Sequence, residues 1–228
     1  MSHRPGAPTT TAHRHWDAVW RSAQGRADWS DPDPWVVGSI PLLSARGVRR
    51  TLDLGCGVGR HALCLAAAGF ACAAIDASSS AISAAAAAAR QAGLHVDLRQ
   101  GGFTELPFAD GALDHVLAFN AIYHGDEPAA GAALAEIRRV LRPGGVYQCT
   151  MLSKRNRHHG RGVEISANTF VQPDAGDDKV HPHLYCDAND LLRLHAGLEL
   201  LAAEDCEQAA PGSHHWRCLF ENPRRAGK

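Results

Sequence analysis

The chain lacks an apolar run long enough to cross a bilayer. Its longest, AISAAAAAA at residues 81–89, is short and mostly alanine. It also lacks an excess of either charge. Lys and Arg number 23 against 24 Asp and Glu, a formal net charge of −1, so no overall basic field calls for a nucleic acid or an anionic membrane. No pair of cysteines has C-x-x-C spacing. There are seven cysteines, an odd number, which argues against a disulfide framework or a structural zinc cluster. They read as reduced thiols of a cytoplasmic protein, mostly small core fillers. The opening MSHRPGAPTTTAHRH has no leader-type apolar segment, and residues 1–14 read as a disordered lead-in.

At 228 residues and 45% hydrophobic content, the chain suits one domain with a sizeable core, here residues 15–222. From residue 50, short apolar runs alternate with helical stretches. RTLDL (50–54), ACAAI (71–75), VDLR (96–99), LDHVLAF (113–119) and VYQCTML (146–152) read as strands. Helices are expected at 60–68, after the serines of DASSS, and at 129–141, with Gly69, Gly93 and RPGG (142–145) as stops. Such β-α repetition predicts an α/β, Rossmann-like, doubly wound and mostly parallel sheet. Beyond residue 153 the regularity fades. A helix is expected at 187–195, and LELLAAED and HWRCLFE read as an antiparallel strand pair about the Pro211–Gly212 turn.

The first strand runs into TLDLGCGVGRHAL (51–63), with glycines at 55, 57 and 59. Glycines after the first strand let the backbone turn tightly and approach a ligand closely. The helix start behind them offers free N–H groups. Read from Gly57, GVGRHA fits the alanine form of the dinucleotide fingerprint, with Asp76 placed for a ribose diol. A P-loop is excluded, because no Gly-Lys-Ser/Thr follows. A nicotinamide cofactor, a methyl donor and a bare strand–helix turn remain open on the loop alone.

The rest of the chain separates them by resemblance. LDLGCGVGR, AIDAS, TELPFADGALDHVLAFNAIYH and EIRRVLRPGG occur in order across residues 50–152. Together they resemble the class I S-adenosylmethionine-dependent methyltransferases. The compact form looks most like the tellurite-resistance and thiopurine-type enzymes, which act on soft chalcogen or thiol nucleophiles. The resemblance implies a seven-stranded sheet with an antiparallel C-terminal strand, and S-adenosylmethionine as cofactor with S-adenosylhomocysteine as product. It places Gly55, Cys56, Gly57 and Gly59 beneath the methionine part, with Asp53 bracing the loop near the amino group. Asp76 would take both ribose hydroxyls, Ala77 would pack on the adenine, Phe103 would offer its N–H to an adenine nitrogen, and Asn120 its carbonyl to the methionyl amine. Many relatives carry an acid where this chain has Gly102, so Thr104 or water would replace that adenine contact. Asp114 reads as a structural residue.

Two regions are expected to build the acceptor side. One is Asn120, Tyr123 and His124, with His124 as proton acceptor or orienting group. The other is the segment 177–190, DDKVHPHLYCDAND, with His181, His183, Tyr185 and Cys186. H-x-H-x-x-C offers three metal ligands, but nothing supplies a fourth and methyl transfer needs no metal, so none is expected. KRNRHHGRG (154–162) reads as a solvated loop or a greeting for an anionic substrate, and His214 and His215 as solvent-facing. Residues 15–49 hold Trp16, Trp20, Trp29 and Trp35. Trp16 and Trp20, four apart, share a helix face, either packed on the sheet or capping the cofactor cleft. The reading that follows is a small-molecule methyltransferase, monomer or homodimer, with a 50–152 cofactor core and a 153–222 lid and C-terminal part. An RNA- or protein-directed transferase would need a basic excess or an added domain. An oxidoreductase would leave LRPGG without a role, and a binding protein without catalysis is the remaining alternative.

Overall fold

The computed structural model describes residues 10–224. Residues 1–9, most of the expected lead-in, lie outside the described residues. The chain begins with three helices, α1 (His13–Arg21), α2 (Ala23–Ala27) and α3 (Pro34–Ala45). Ser22 caps α2 by accepting from Gly25 N, and Asp33 caps α3 by accepting from Trp35 N.

Alternation follows: β1 (Arg50–Leu54), α4 (Arg60–Ala67), β2 (Ala71–Asp76), α5 (Ser79–Ala92), β3 (Val96–Gln100), β4 (Leu113–Ala118), α6 (Glu127–Val140) and β5 (Leu141–Ser153). α5 shows its start and stop in the sequence. Ser78 accepts from Ala81 N at the start of α5, and Gly93 closes that helix in the left-handed region, φ 65°. β5 begins at Leu141 rather than Val146. RPGG does not separate helix from strand, because the pairing shifts between Leu113↔Leu141 and His115↔Val146 and absorbs residues 142–145 as an irregularity.

The remaining elements are β6 (Val163–Ser166), β7 (Thr169–Val171), a 3₁₀ turn (Asp178–Val180), β8 (His183–Cys186), α7 (Ala188–Leu194), β9 (Glu199–Glu207) and β10 (His214–Glu221). The expected seven-stranded body is present in the order β3-β2-β1-β4-β5-β10-β9. β10 runs antiparallel to both β5 and β9, and β9 is an outer strand. Between residues 163 and 186, where the regularity of the sequence fades, the chain adds three short strands. β8 pairs in parallel with the last two residues of β5, just beyond the end of β4, and β7 and β6 follow antiparallel.

Apolar side chains fill both faces of the sheet. α6 and α7 cover one face, with Ile137, Val140 and Leu191 buried, and α3 and α4 the other, with Val36, Leu43 and Leu65 fully buried. Asp114 accepts from Arg49 N and Arg50 N at 2.9 and 2.8 Å and from Arg142 Nε, the structural role expected of it. No helix among the described residues is long and apolar enough to cross a membrane.

Candidate active site

The C-terminal ends of β1, β2, β4 and β5 open into a cavity of about 470 Å³, within the ordinary size of a small-molecule site. Its floor is the glycine loop. Gly55, Gly57 and Gly59 take φ of 74°, 53° and 87°, a region that only glycine enters freely. Close packing adds a second demand. A Cβ on Gly55 would stand 2.6 Å from Ala121 Cβ, and one on Gly59 2.9 Å from Ala85 Cβ. The loop has no side-chain cap of its own for α4. Asp53 supplies it from the end of β1, accepting from Ala62 N at 3.0 Å. Burial pushes the Asp53 carboxyl up to about 7.

Asp76 ends β2 and faces the cavity. Its Oδ2 accepts from Gly57 N and its Oδ1 from Ser78 N, both at 2.8 Å. Each oxygen keeps lone pairs for a ligand. Burial raises this carboxyl as well. Ala77, Gly102, Phe103 and Thr104 continue the wall. The 103–110 segment is pinned from α6. Glu136 accepts from Leu106 N at 2.7 Å, and Arg139 donates to the carbonyls of Leu106 and Phe108. Asn120 sits in the left-handed region, φ 52°. It is held there by Thr150, whose Oγ1 accepts from Asn120 N and donates to Asn120 Oδ1.

The N-terminal helices roof the cavity. Trp16 and Trp20 stack at 5.1 Å between ring centres, and Trp29 meets both edge-on. Trp20 lies over the glycine loop, 3.2 Å from where a Gly57 Cβ would be. Asp17 fastens this roof to α5, accepting from Ser78 Oγ at 2.8 Å and Ser80 N at 3.2 Å.

The far half of the cavity is built after residue 123. Tyr123 and His124 are buried, and their rings stand 4.6 Å apart. The Tyr123 carbonyl accepts from Leu184 N, tying this turn to β8. His124 Nδ1 has no hydrogen-bond partner and lies 3.9 Å from Asp178 Oδ2. Burial lowers His124 well below its ordinary value and keeps the ring neutral. Asp178 also accepts from Lys179 Nζ at 2.7 Å and stands 3.3 Å from His183 Nε2. The three histidine and aspartate ligand atoms converge within 4.8 Å. The Lys179 ammonium, 3.4 Å from His183 Nε2, already puts a positive charge into that set, so the set reads as a hydrogen-bonded ion cluster rather than a metal cradle.

The structure brings Gly55, Cys56, Gly57, Asp76, Ala77, Gly102, Phe103, Asn120, Tyr123 and His124 together on the cavity wall. Four expected site residues lie off it. Asp53 is buried behind the loop and Gly59 beneath it, because both serve the strand–helix junction. His183 lies behind His124, donating from Nδ1 to the His181 carbonyl at 2.8 Å. His181 faces the N-terminal arm, where its Nδ1 meets Thr11 Oγ1 at 2.9 Å. Cys186 is buried in the core, so H-x-H-x-x-C is not brought together.

Several polar residues on the wall were not singled out as site residues in the sequence, among them Arg60, His61, Asp178, Lys179, Gln208 and His215. His215, expected at the surface, is 6% exposed. It donates from Nδ1 to the Ser213 carbonyl, and burial lowers it to about 4. Its Nε2 therefore carries a lone pair. Gln208 is 7% exposed, with Nε2 unpartnered.

Residues 51–145 match the family described as "Methyltransferase domain". The 24-methylenesterol C-methyltransferase 2 of Oryza sativa subsp. japonica is 35% identical over 46% of this chain and 30% of that protein. The ubiquinone biosynthesis O-methyltransferase of Caulobacter vibrioides is 37% identical over 45% of this chain and 40% of that protein. The chain thus spans less than half the length of these curated relatives. Among solved structures, the 1,6-didemethyltoxoflavin-N1-methyltransferase of Burkholderia thailandensis, with 1,6-didemethyltoxoflavin and S-adenosylhomocysteine bound, superposes with a TM-score of 0.71. It covers 98% of this chain and 93% of its own at 20% identity, a likeness of fold.

Proposed function

We propose, from the premise that residues 51–145 form a class I S-adenosylmethionine-dependent methyltransferase domain, that this protein moves a methyl group to a small-molecule acceptor. The observation that carries the reading is one cavity with two unlike ends. A glycine cradle too tight for a Cβ and an inward-facing Asp76 stand at one end, and a buried neutral His124 at the other. The residues fit the cofactor: Asp76 suits a ribose diol, and the positive-φ loop admits a chain lying against its backbone.

S-adenosylmethionine, when bound, supplies a methyl group already activated on a sulfonium. What remains for the protein is alignment, worth roughly 7–11 kcal/mol in favourable cases, and a place for the acceptor's proton. His124 lines the far end of the cavity with a neutral ring, whose unprotonated nitrogen is the group there that can take that proton. The resulting imidazolium lies beside the Asp178 carboxylate, which Lys179 holds in place. The tryptophan roof excludes water. An acceptor that must shed a proton, such as a thiol, another chalcogen acid or a phenol, suits this arrangement, and a thiol or chalcogen nucleophile remains our finer reading. The seven free thiols favour a reducing, cytoplasmic setting.

Calorimetry with S-adenosylhomocysteine tests the cofactor end. Asp76→Ala should weaken binding at least about tenfold, since it removes charge-assisted hydrogen bonds. Unchanged affinity would overturn the assignment. A methyl-transfer screen over thiols, selenols, tellurite, amines and phenols then tests the acceptor class.

A further inference from the structure

Arg60 is a half-buried cation on the cavity wall without a carboxylate partner among the described residues. It is the first residue of α4, directly behind Gly59. Its guanidinium carbon stands 4.9 Å from the ring centre of Trp29 and 5.4 Å from that of Phe119. One arm, Nη1, donates to the Asp31 carbonyl at 3.2 Å. Three acids stand near it and none forms an ion pair with it. Asp33 accepts from Trp35 N and stands 3.5 Å from Arg217 Nη2, Asp53 accepts from Ala62 N behind the loop, and Asp31 is exposed and meets Arg60 through its carbonyl. The other cations of the wall differ. Lys179 is bound to Asp178, and Arg157 is exposed and donates to the Pro211 carbonyl.

A guanidinium partly withdrawn from water without a counter-charge is costly, and a ligand anion removes the cost. Aromatic contacts on the flat group leave its N–H edges available, the geometry that matches a carboxylate. We propose that Arg60 is the counter-charge for the carboxylate at the methionine end of S-adenosylmethionine. This rests on the cofactor reading above. Position supports it: Arg60 adjoins the glycine loop and shares the wall with Phe119, Asn120 and Tyr123 at the end of β4. Chemistry supports it too. The ribose and adenine are neutral, and the sulfonium and amine are positive, so the carboxylate is the one group of that ligand a guanidinium attracts. Asp76 would repel an anion from the ribose end.

The test uses three ligands and needs no methyl acceptor. Calorimetry is run with S-adenosylhomocysteine, with its decarboxylated analogue, which keeps the amine and thioether, and with 5′-methylthioadenosine. The proteins are wild type, Arg60→Met and Arg60→Lys. Methionine keeps length and apolar contact with Trp29 and Phe119. Arg60→Met should weaken S-adenosylhomocysteine ten- to a hundredfold and leave the other two ligands within twofold. Arg60→Lys should fall between, because it keeps charge and loses the planar fork. Two outcomes overturn the assignment: S-adenosylhomocysteine unaffected by Arg60→Met, or all three ligands weakened alike, which marks a structural role. If wild type binds none of the three, the cofactor reading itself falls and Arg60 falls with it.

Discussion

At the scale of single residues, the half of the cavity proposed to take the acceptor rests on side chains whose neutral state is set by burial. His124 is held well below its ordinary value, with desolvation the largest cause and Asp178 opposing it. A base with a lowered value is ready at neutral pH and is lost only as pH falls through that value. The acid limb of kcat/KM should therefore lie below pH 6.5. Asp178→Asn should move it further down, since it removes the charge that favours the imidazolium. His124→Ala should lower kcat by 10²–10⁴-fold, the usual worth of general base catalysis, with S-adenosylhomocysteine affinity within twofold. Gln208 and His215 make a separate case. Gln208 N donates to the Ser213 carbonyl, and His215 pairs with Cys206, so the two residues stand diagonally on one face of the β9–β10 hairpin. An unpartnered buried amide costs about 1–3 kcal/mol, which a ligand acceptor atom would relieve. Gln208→Leu should raise the acceptor KM about tenfold in steady-state assays and leave cofactor affinity unchanged.

At the scale of elements, the glycine loop and the tryptophan roof carry the strain and the closure. Gly59→Ala puts a Cβ into the left-handed region and 2.9 Å from Ala85 Cβ. We expect a loss of about 2–4 kcal/mol, read from the urea midpoint. Asp17→Ala removes two of the three hydrogen bonds from α1 to the start of α5, leaving Arg21 Nε to Ser80 Oγ at 3.4 Å. Residues 10–30 should then be cut faster in limited proteolysis, and bound S-adenosylhomocysteine should slow the cut. The part of the cavity wall built from residues 50–124 was legible in the sequence because each β-α unit there is local: an apolar strand, a cap such as Ser78, a stop such as Gly93. Most of the wall built after residue 150 was not. Asp178 lies in the 3₁₀ turn, while Gln208 and His215 share a face through the register of the β9–β10 hairpin, which no local pattern reports. β6, β7 and β8 have only four, three and four residues, too short for a period to show. The Pro211–Gly212 turn marked the hairpin correctly. It also made His215 look exposed, although β10 begins at His214 and turns His215 inward beside Tyr123.

At the scale of the whole molecule, the buried histidines make the fold sensitive to acid. His61 is lowered to about 3, and His115, His195 and His215 to about 4, all mainly by burial. The unfolded chain binds protons at these sites near pH 6.5 while the folded chain does not, so stability falls as pH drops below 6.5. At pH 5.5 each costs about 1.4 kcal/mol. Asp53 works in the opposite direction, because its raised value favours the folded state as pH falls through about 7, and the raised Asp76 joins it, but these two acids stand against a larger set of histidines. The melting temperature should fall by about 10 °C between pH 7.5 and 5.5, measured by calorimetry. The outer strand β9 holds a second liability. Among the described residues its outer edge is unpaired, and it carries Leu200 and Leu201, 38% and 41% exposed, between Glu199 and Glu204. Those carboxylates make two copies repel each other edge to edge. With both changed to glutamine the same strand becomes a template for joining molecules. Protein carrying Glu199→Gln and Glu204→Gln should therefore scatter light on concentration, whereas adding Leu200→Lys should keep it clear.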